Sequence, residues 1–214
     1  MINFKYKIQY HLNASSFNCH IYMSKILFFD TETTGLPETR GWGNYYEPMY
    51  TGYYDCARMI ELAYVICDAD KQIIKSVNYI IRPNGFVINN SEFHGITMDD
   101  ANEFGININD VLQEFKSDLS GVDLVVGHNI NFDLHIIMSE CYRTNDDNFV
   151  ELAVNLKKMS KACTMEVGKA YMQGQKFPKL VELYSYLFNK PIEQEHRALS
   201  DTRICVDCYY KMNP

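Results

Sequence analysis

The chain has 214 residues, 47% hydrophobic and 22% charged. That suits one domain with a sizeable core and leaves no room for a fused polymerase, since domains usually run to about 100–200 residues. Its formal net charge of −7 argues against duplex binding through a broad basic surface, although bound divalent cations can supply positive charge locally for a nucleic-acid substrate.

Taken in chain order, residues 1–22 mix Lys, Tyr, Asn, His and Ser and read as a weakly structured extension, without the apolar core of a secretory signal. Met23, ahead of Ser24, Lys25 and an apolar run, reads like a natural chain start, so the domain is expected over 23–214. Ile26–Phe29 is a short continuous apolar run, the pattern of a strand buried on both faces. Residues 35–57, rich in Gly, Tyr and Pro, read as a long loop, and long loops are often functional. Met59–Cys67 and Ile73–Ile81 predict two strands around a turn at 68–71, making a meander that ends at Pro83-Asn84-Gly85.

Thr97 is placed as the N-cap of a helix. A further helix is predicted over Asn109–Leu119, with Val111, Leu112, Phe115 and Leu119 on one face. Gly121 ends it and Asp123–Val126 forms another buried strand. Helices are predicted over Ile130–Cys141, Leu180–Phe188 and Arg197–Met212. Strands first and alternating elements later imply an α/β domain with a mixed central sheet. No run reaches the roughly 18 apolar residues of a membrane helix. The seven cysteines, odd in number and scattered, point to free thiols in an intracellular setting, cytoplasm or nucleus.

The chemistry-bearing residues sit at the ends of these elements. Residues two apart in an extended chain project to one side, so Asp30 and Glu32 point together if the first strand continues through Thr31. Two such carboxylates repel each other unless a cation lies between them, and Mg²⁺ or Mn²⁺ prefers oxygen ligands. Alone, an Asp-x-Glu is more often a solvated strand-end pair or a helix cap. Asp133 follows a buried strand into the first turn of a helix, where the helix dipole favours a carboxylate in any protein. His196 and Asp201 fall at the start and early turn of the last helix, also an ordinary place for them.

The combination is more specific than its parts. Asp30-Thr-Glu-Thr-Thr-Gly-Leu36, Val126-Gly-His-Asn-Ile-Asn-Phe-Asp133 and His196-Arg-Ala-Leu-Ser-Asp-Thr202 resemble, in order, the three motifs of the DEDDh-type, DnaQ-like 3′–5′ exonucleases. That family includes the epsilon proofreading subunit of bacterial DNA polymerase III, RNase T and oligoribonuclease. Phe93–Thr97 and Lys179–Tyr184 resemble the family's intervening segments, so the resemblance runs from about residue 24 to 212. It departs in a longer, more aromatic loop from Gly41 to Tyr54, and in Cys163-Thr164 where many relatives have Asp-Thr.

The resemblance implies an RNase H-like fold and two Mg²⁺ or Mn²⁺ ions per active site. Asp30, Glu32 and Asp201 would hold one, and Asp30 with Asp133 the second. His196 would be the general base. The expected reaction is phosphodiester hydrolysis at a single-stranded or frayed 3′ end of DNA, releasing nucleoside 5′-monophosphates, with proofreading beside a separate polymerase as the expected role. Trimming of RNA 3′ ends is the alternative within this chemistry, and a non-catalytic nucleic-acid or polymerase-binding module is the alternative outside it. Candidate substrate contacts are the backbone of Thr33, Gly35 and Leu36, together with His94 and Phe132. Phe132 is equally readable as a core anchor.

Tyr45, Tyr46, Tyr53 and Tyr54 offer stacking surface without basic charge, or else fold onto the domain surface. Cys205 and Cys208 read as a helix face rather than a zinc or redox pair. His128 reads as a structural hydrogen-bonding residue at the strand–helix junction, and neither it nor His135 as a metal ligand.

Overall fold

The computed structural model describes residues 25–213. The extension expected over 1–22 lies outside the described residues. Strands β1 (Lys25–Thr33), β2 (Met59–Cys67) and β3 (Ile73–Ile80) form the expected antiparallel meander. On the other side of β1, β4 (Val122–Gly127) and β5 (Lys161–Cys163) add in parallel, giving one sheet in the order β3-β2-β1-β4-β5. This is the mixed sheet of the RNase H-like fold. Around it lie α1 (Ser91–His94), α2 (Met98–Phe104), α3 (Ile108–Asp118), α4 (Ile130–Arg143), α5 (Asp147–Lys158), α6 (Thr164–Tyr171), α7 (Leu180–Phe188) and α8 (Ala198–Met212).

Strand periodicity decides what each face of the sheet holds. Leu27 and Phe29 enter a core with Tyr64, Phe115, Leu134, Ile137 and Leu152, beneath α3, α4 and α5. Phe28 and Val126 point the other way into a second core with Leu183, Ile204 and Cys208 of α7 and α8. Each fully buried side chain of this kind contributes roughly 1.5–3 kcal/mol. Covered on both faces, β2 is buried at all 9 of its positions, which explains its nearly unbroken apolar sequence. At the sheet's outer edge β3 is different: Ile73 and Ile74 are exposed, and Lys75 reaches Glu114 and Asp118 of α3.

Most predicted elements are present with small changes of boundary. β1 runs past Phe29 to Thr33 because β2 stays paired with it as far as Thr33↔Met59, whereas β4 pairs only to Phe28↔Val126. The end of β1 therefore has one free side, opening a crevice at the strand's carboxyl end. Thr97 caps α2 as expected, in a reciprocal capping box with Asp100. Four elements were not anticipated: the short α1, and α5, β5 and α6, these last three all between Tyr142 and Lys179. The 35–57 loop also contains a 3-10 turn at Thr51–Tyr54. No helix among the described residues is long and apolar enough to cross a membrane.

Candidate active site

Asp30 and Glu32 lie on the β1 face that carries Phe28, the face covered by α8. Asp201, in the first turn of α8, meets them there: one carboxylate oxygen from each of the three lies within 4.8 Å of the others. Thr31 points to the opposite face and meets α4. Its backbone N–H and its hydroxyl both donate to Asp133 Oδ1, at 3.0 and 2.7 Å. Asp133 thus stands beside the trio, locked to β1 by the residue between the two strand carboxylates. Thr31 was not singled out in the sequence, although its place inside the Asp-x-Glu pair was the available signal.

The electrostatics of the group are one-sided. Burial, followed by the charges of Asp133, Asp201, Glu32 and Glu61, holds the Asp30 carboxyl well above the ordinary carboxylate range. Burial and the charges of Asp201, Glu61 and Asp133 push Glu32 up to about 8, against the opposing pull of Arg197. Asp133 is raised to about 7 by burial, despite the Thr31 hydrogen bonds that favour its charged form. Asp201 is raised by burial as well, with Gln194 and His196 acting against it. Asp201 Oδ1 is also buried without a hydrogen-bond partner among the described residues. Oxygen donors that are close together, desolvated and short of positive charge fit an oxygen-preferring divalent cation.

His196 stands at the mouth of the same cleft, a concavity of about 440 Å³ that Asp30, Asp201 and Asn129 also line. It is exposed and its backbone is left-handed, with φ 50°, uncommon for a residue with a side chain. The residues on either side fix it there. Gln194 Nε2 donates to Asp201 Oδ2 at 2.6 Å. Arg197, the N-cap of α8, donates to Glu61 through Nε at 3.1 Å and Nη2 at 2.5 Å. Glu61 has no exposed surface, and it also accepts from Asn78 Nδ2 at 2.9 Å and from the Ala198 N–H at 2.9 Å.

Glu61 pairs directly across from Glu32 in the β1–β2 register, so one buried carboxylate ties the His196 segment and the start of α8 to the strand next to the site. It went unread in the sequence, although a lone carboxylate inside the apolar run Met59–Cys67 was a visible signal. Gln194 had no comparable signal.

The other predicted contacts divide. Thr33 is buried, and its hydroxyl donates to the Gly35 carbonyl at 2.6 Å. Gly35 presses against the Cys56 carbonyl, which a Cβ would meet at 2.7 Å, and Leu36 is 78% exposed where the chain leaves β1. His94 is buried. Ile96 N–H donates to its Nδ1 at 3.1 Å, so its Nε2 donates to Asn90 Oδ1, also at 3.1 Å. Asn90 in turn donates to the Thr33 carbonyl at 3.0 Å, so His94 reaches the end of β1 through Asn90. Phe132 is partly buried, packs on the main core and touches Tyr45 at 6.2 Å between ring centroids.

The tyrosine cluster mostly satisfies itself. Tyr46 stacks on Tyr53 at 3.7 Å, and Tyr54 is fully buried with its hydroxyl on the Tyr46 carbonyl. His128 donates from Nε2 to the Pro178 carbonyl at 3.1 Å and accepts at Nδ1 from Thr164 at 3.0 Å. Its burial holds it down to about 4, and no metal ligation is left open to it. Cys205 and Cys208 are buried in the second core, as a helix face. Two aromatic residues unread in the sequence also line the cleft, Trp42 and Phe177, stacked on each other.

A family profile described as exonuclease, of the RNase T type, matches residues 27–209. The chain belongs to this exonuclease family. The match spans all three motifs, in agreement with the resemblance to DnaQ-like exonucleases and with a hydrolase. Among solved structures, E. coli Exonuclease I in complex with a dA16 oligonucleotide is similar at a TM-score of 0.62 and 16% identity, over 88% of this chain and 40% of that one. Exonuclease I from Methylocaldum szegediense gives 0.64 and 19%, over 88% and 40%. The zinc-bound E. coli Exonuclease I–ssDNA complex gives 0.62 and 16%, over 88% and 40%. At these identities the likeness is one of fold, and this exonuclease chain spans about 40% of the length of those proteins. No curated protein matches it.

Proposed function

We propose that residues 23–214 form a metal-dependent 3′–5′ exonuclease domain that hydrolyses DNA from unpaired 3′ ends. The observation that carries this reading is the meeting of Asp30, Glu32 and Asp201 within 4.8 Å, in a cleft that His196 also lines. Asp30, Glu32 and Asp201 would hold one Mg²⁺ or Mn²⁺, and Asp30 with Asp133 a second. Bound there, such cations supply positive charge to the phosphate and make a water easier to deprotonate.

The chain's own groups do the rest. His196 accepts a proton from the attacking water as its oxygen bonds to phosphorus. The bond from phosphorus to the 3′ oxygen of the penultimate nucleotide breaks, leaving a shortened strand with a 3′ hydroxyl and a nucleoside 5′-monophosphate. Backbone groups of Thr33, Gly35 and Leu36 lie along the terminal nucleotide. His94 acts on that segment through Asn90, and Phe132 backs the site beside Asp133. DNA is favoured over RNA because the similar Exonuclease I structures include complexes with a dA16 oligonucleotide and ssDNA. Proofreading beside a separate polymerase is the setting this activity suits.

One assay tests these assignments. End-labelled single-stranded DNA, mismatched duplex DNA and RNA are each incubated with Mg²⁺, Mn²⁺ or EDTA. Stepwise loss from the 3′ end of DNA, abolished by EDTA and in Asp30→Ala and Asp201→Ala, is expected. His196→Ala should slow the reaction roughly 10²–10⁴-fold, the usual general-base contribution. Full Mg²⁺-dependent activity in either Asp variant would overturn the metal assignment, and faster cleavage of RNA would replace DNA as substrate.

A further inference from the structure

The cleft has an aromatic wall that the three motifs do not supply. Residues 39–45 form a small hairpin: Thr39 bridges Tyr45, Arg40 N–H donates to the Asn44 carbonyl at 2.9 Å, and Asn44 N–H donates to Gly41 at 3.0 Å. Trp42 is its tip. Gly41 and Gly43 on either side have φ of 134° and 69°, conformations that glycine adopts without steric cost, and they turn the tip residue outward. The indole stacks on Phe177, with ring centroids 5.0 Å apart and planes 18° apart. Phe177 is itself fixed: it packs on the main core, the Lys169 ammonium lies 4.4 Å from its ring centroid, and His128 holds the next residue's carbonyl.

This contact covers one face of the indole only, for Trp42 is 73% exposed. A hairpin whose purpose was packing would bury its tip. Instead a large, rigid ring is held by a turn of backbone hydrogen bonds, with its free surface at the rim of a cleft it shares with Asp30, His196 and Asp201. Exposed aromatic surface held in place beside a site is what base stacking requires, and stacking tolerates any base because each has a π-face. It also suits a chain of net charge −7, because stacking holds a base without adding positive charge.

We propose that the open face of Trp42 is a nucleobase-stacking subsite for the single strand whose end enters the carboxylate cleft. This rests on the exonuclease reading. The Phe177 ring behind it acts as a positioning residue, keeping the indole upright against the rim. Unpaired bases can occupy the subsite and paired ones cannot, so it favours single strands and frayed ends over intact duplex.

The chain contains one tryptophan beside 16 tyrosines, so fluorescence excited at the red edge, where only the indole absorbs, reports on this ring alone. An unlabelled oligothymidylate is titrated into the wild-type protein in EDTA and, separately, in Ca²⁺, with binding followed in parallel by anisotropy of a labelled strand. Saturable quenching that tracks the anisotropy is expected. In steady state, Trp42→Ala should raise KM roughly 5- to 150-fold, the range for one lost stacking contact, with a smaller change in kcat, and Trp42→Phe should restore most of the loss. Binding without quenching, or a wild-type KM in Trp42→Ala, overturns the subsite while hydrolysis keeps the exonuclease reading. Quenching with no hydrolysis under any cation does the reverse. No binding in either buffer removes the subsite as well.

Discussion

Four carboxyl groups, Asp30, Glu32, Asp133 and Asp201, hold their protons more tightly in the folded chain than they would in water, with burial the largest cause for each. The sign of the consequence follows from linkage. Between the ordinary carboxylate value of about 4 and the raised values, about 7 for Asp133 and about 8 for Glu32, the native state binds more protons than the unfolded one. The metal-free protein therefore loses stability as pH rises through that window.

A divalent cation must displace those protons, so its affinity climbs over the same range. In thermal scans with EDTA, Tm should fall from pH 5.5 to 8.5. The rise in Tm on adding Mg²⁺ or Mn²⁺ should grow over the same interval, and it corresponds to a stabilisation of about 2.7 kcal/mol where the cation stands at a hundred times its Kd. A cation effect of equal size at both ends would contradict shared protons and metal. These four acids were legible in the sequence because each sits at a strand end or in a helix's first turn within a motif. Glu61 was visible but unread. Gln194 was not visible, because the segment before α8 has no periodic pattern and its bond to Asp201 spans a turn of irregular backbone.

At the scale of elements, α4 carries Asp133 and is fastened to the start of β2 by a buried ion pair. Glu140 accepts from Arg58 Nε at 2.8 Å and Nη2 at 3.0 Å, and from the Met59 N–H at 3.2 Å. Glu140→Ala strands a guanidinium that is only 12% exposed, a change that typically costs about 3–5 kcal/mol. Pairing Arg58→Met with Glu140→Leu should recover most of it. Urea denaturation midpoints decide the matter: an unchanged midpoint in Glu140→Ala would mean the pair adds nothing.

The unanticipated elements differ in why they were missed. α5 was legible: Phe149, Leu152, Ala153 and Leu156 recur at helical spacing behind Asp146, whose side chain caps Asn148 N–H. β5 was not, because its 3 residues are held only by parallel pairing with β4, a partner distant in sequence. α6 has Gly168 in its middle, which local propensity disfavours. The structural reason is tertiary: a Cβ there would meet Leu183 of α7 at 2.8 Å.

For the whole molecule, the meander-first order of elements was legible because β2 and β3 read as strands with turn residues at 68–71 between them. The cleft's aromatic rim was not, since a Gly-Trp-Gly tip shows its meaning only once it lies beside Phe177. The meander also leaves β3 as the sheet's outer edge. Its Ile73-Ile74-Lys75-Ser76-Val77 would be an uncharged, β-prone stretch but for one residue, and open edges of that kind invite pairing between copies. Lys75, drawn over to Glu114 and Asp118, is thus a gatekeeper against self-association as well as a tie between strand and helix. Lys75→Val should fold and keep the wild-type rate of hydrolysis when dilute, yet scatter light at lower concentration and temperature than the wild type. Equal scattering curves would assign the edge's solubility to something else. The expected cost of losing that one ammonium group on the outer edge is then a lower concentration at which the protein stays dispersed.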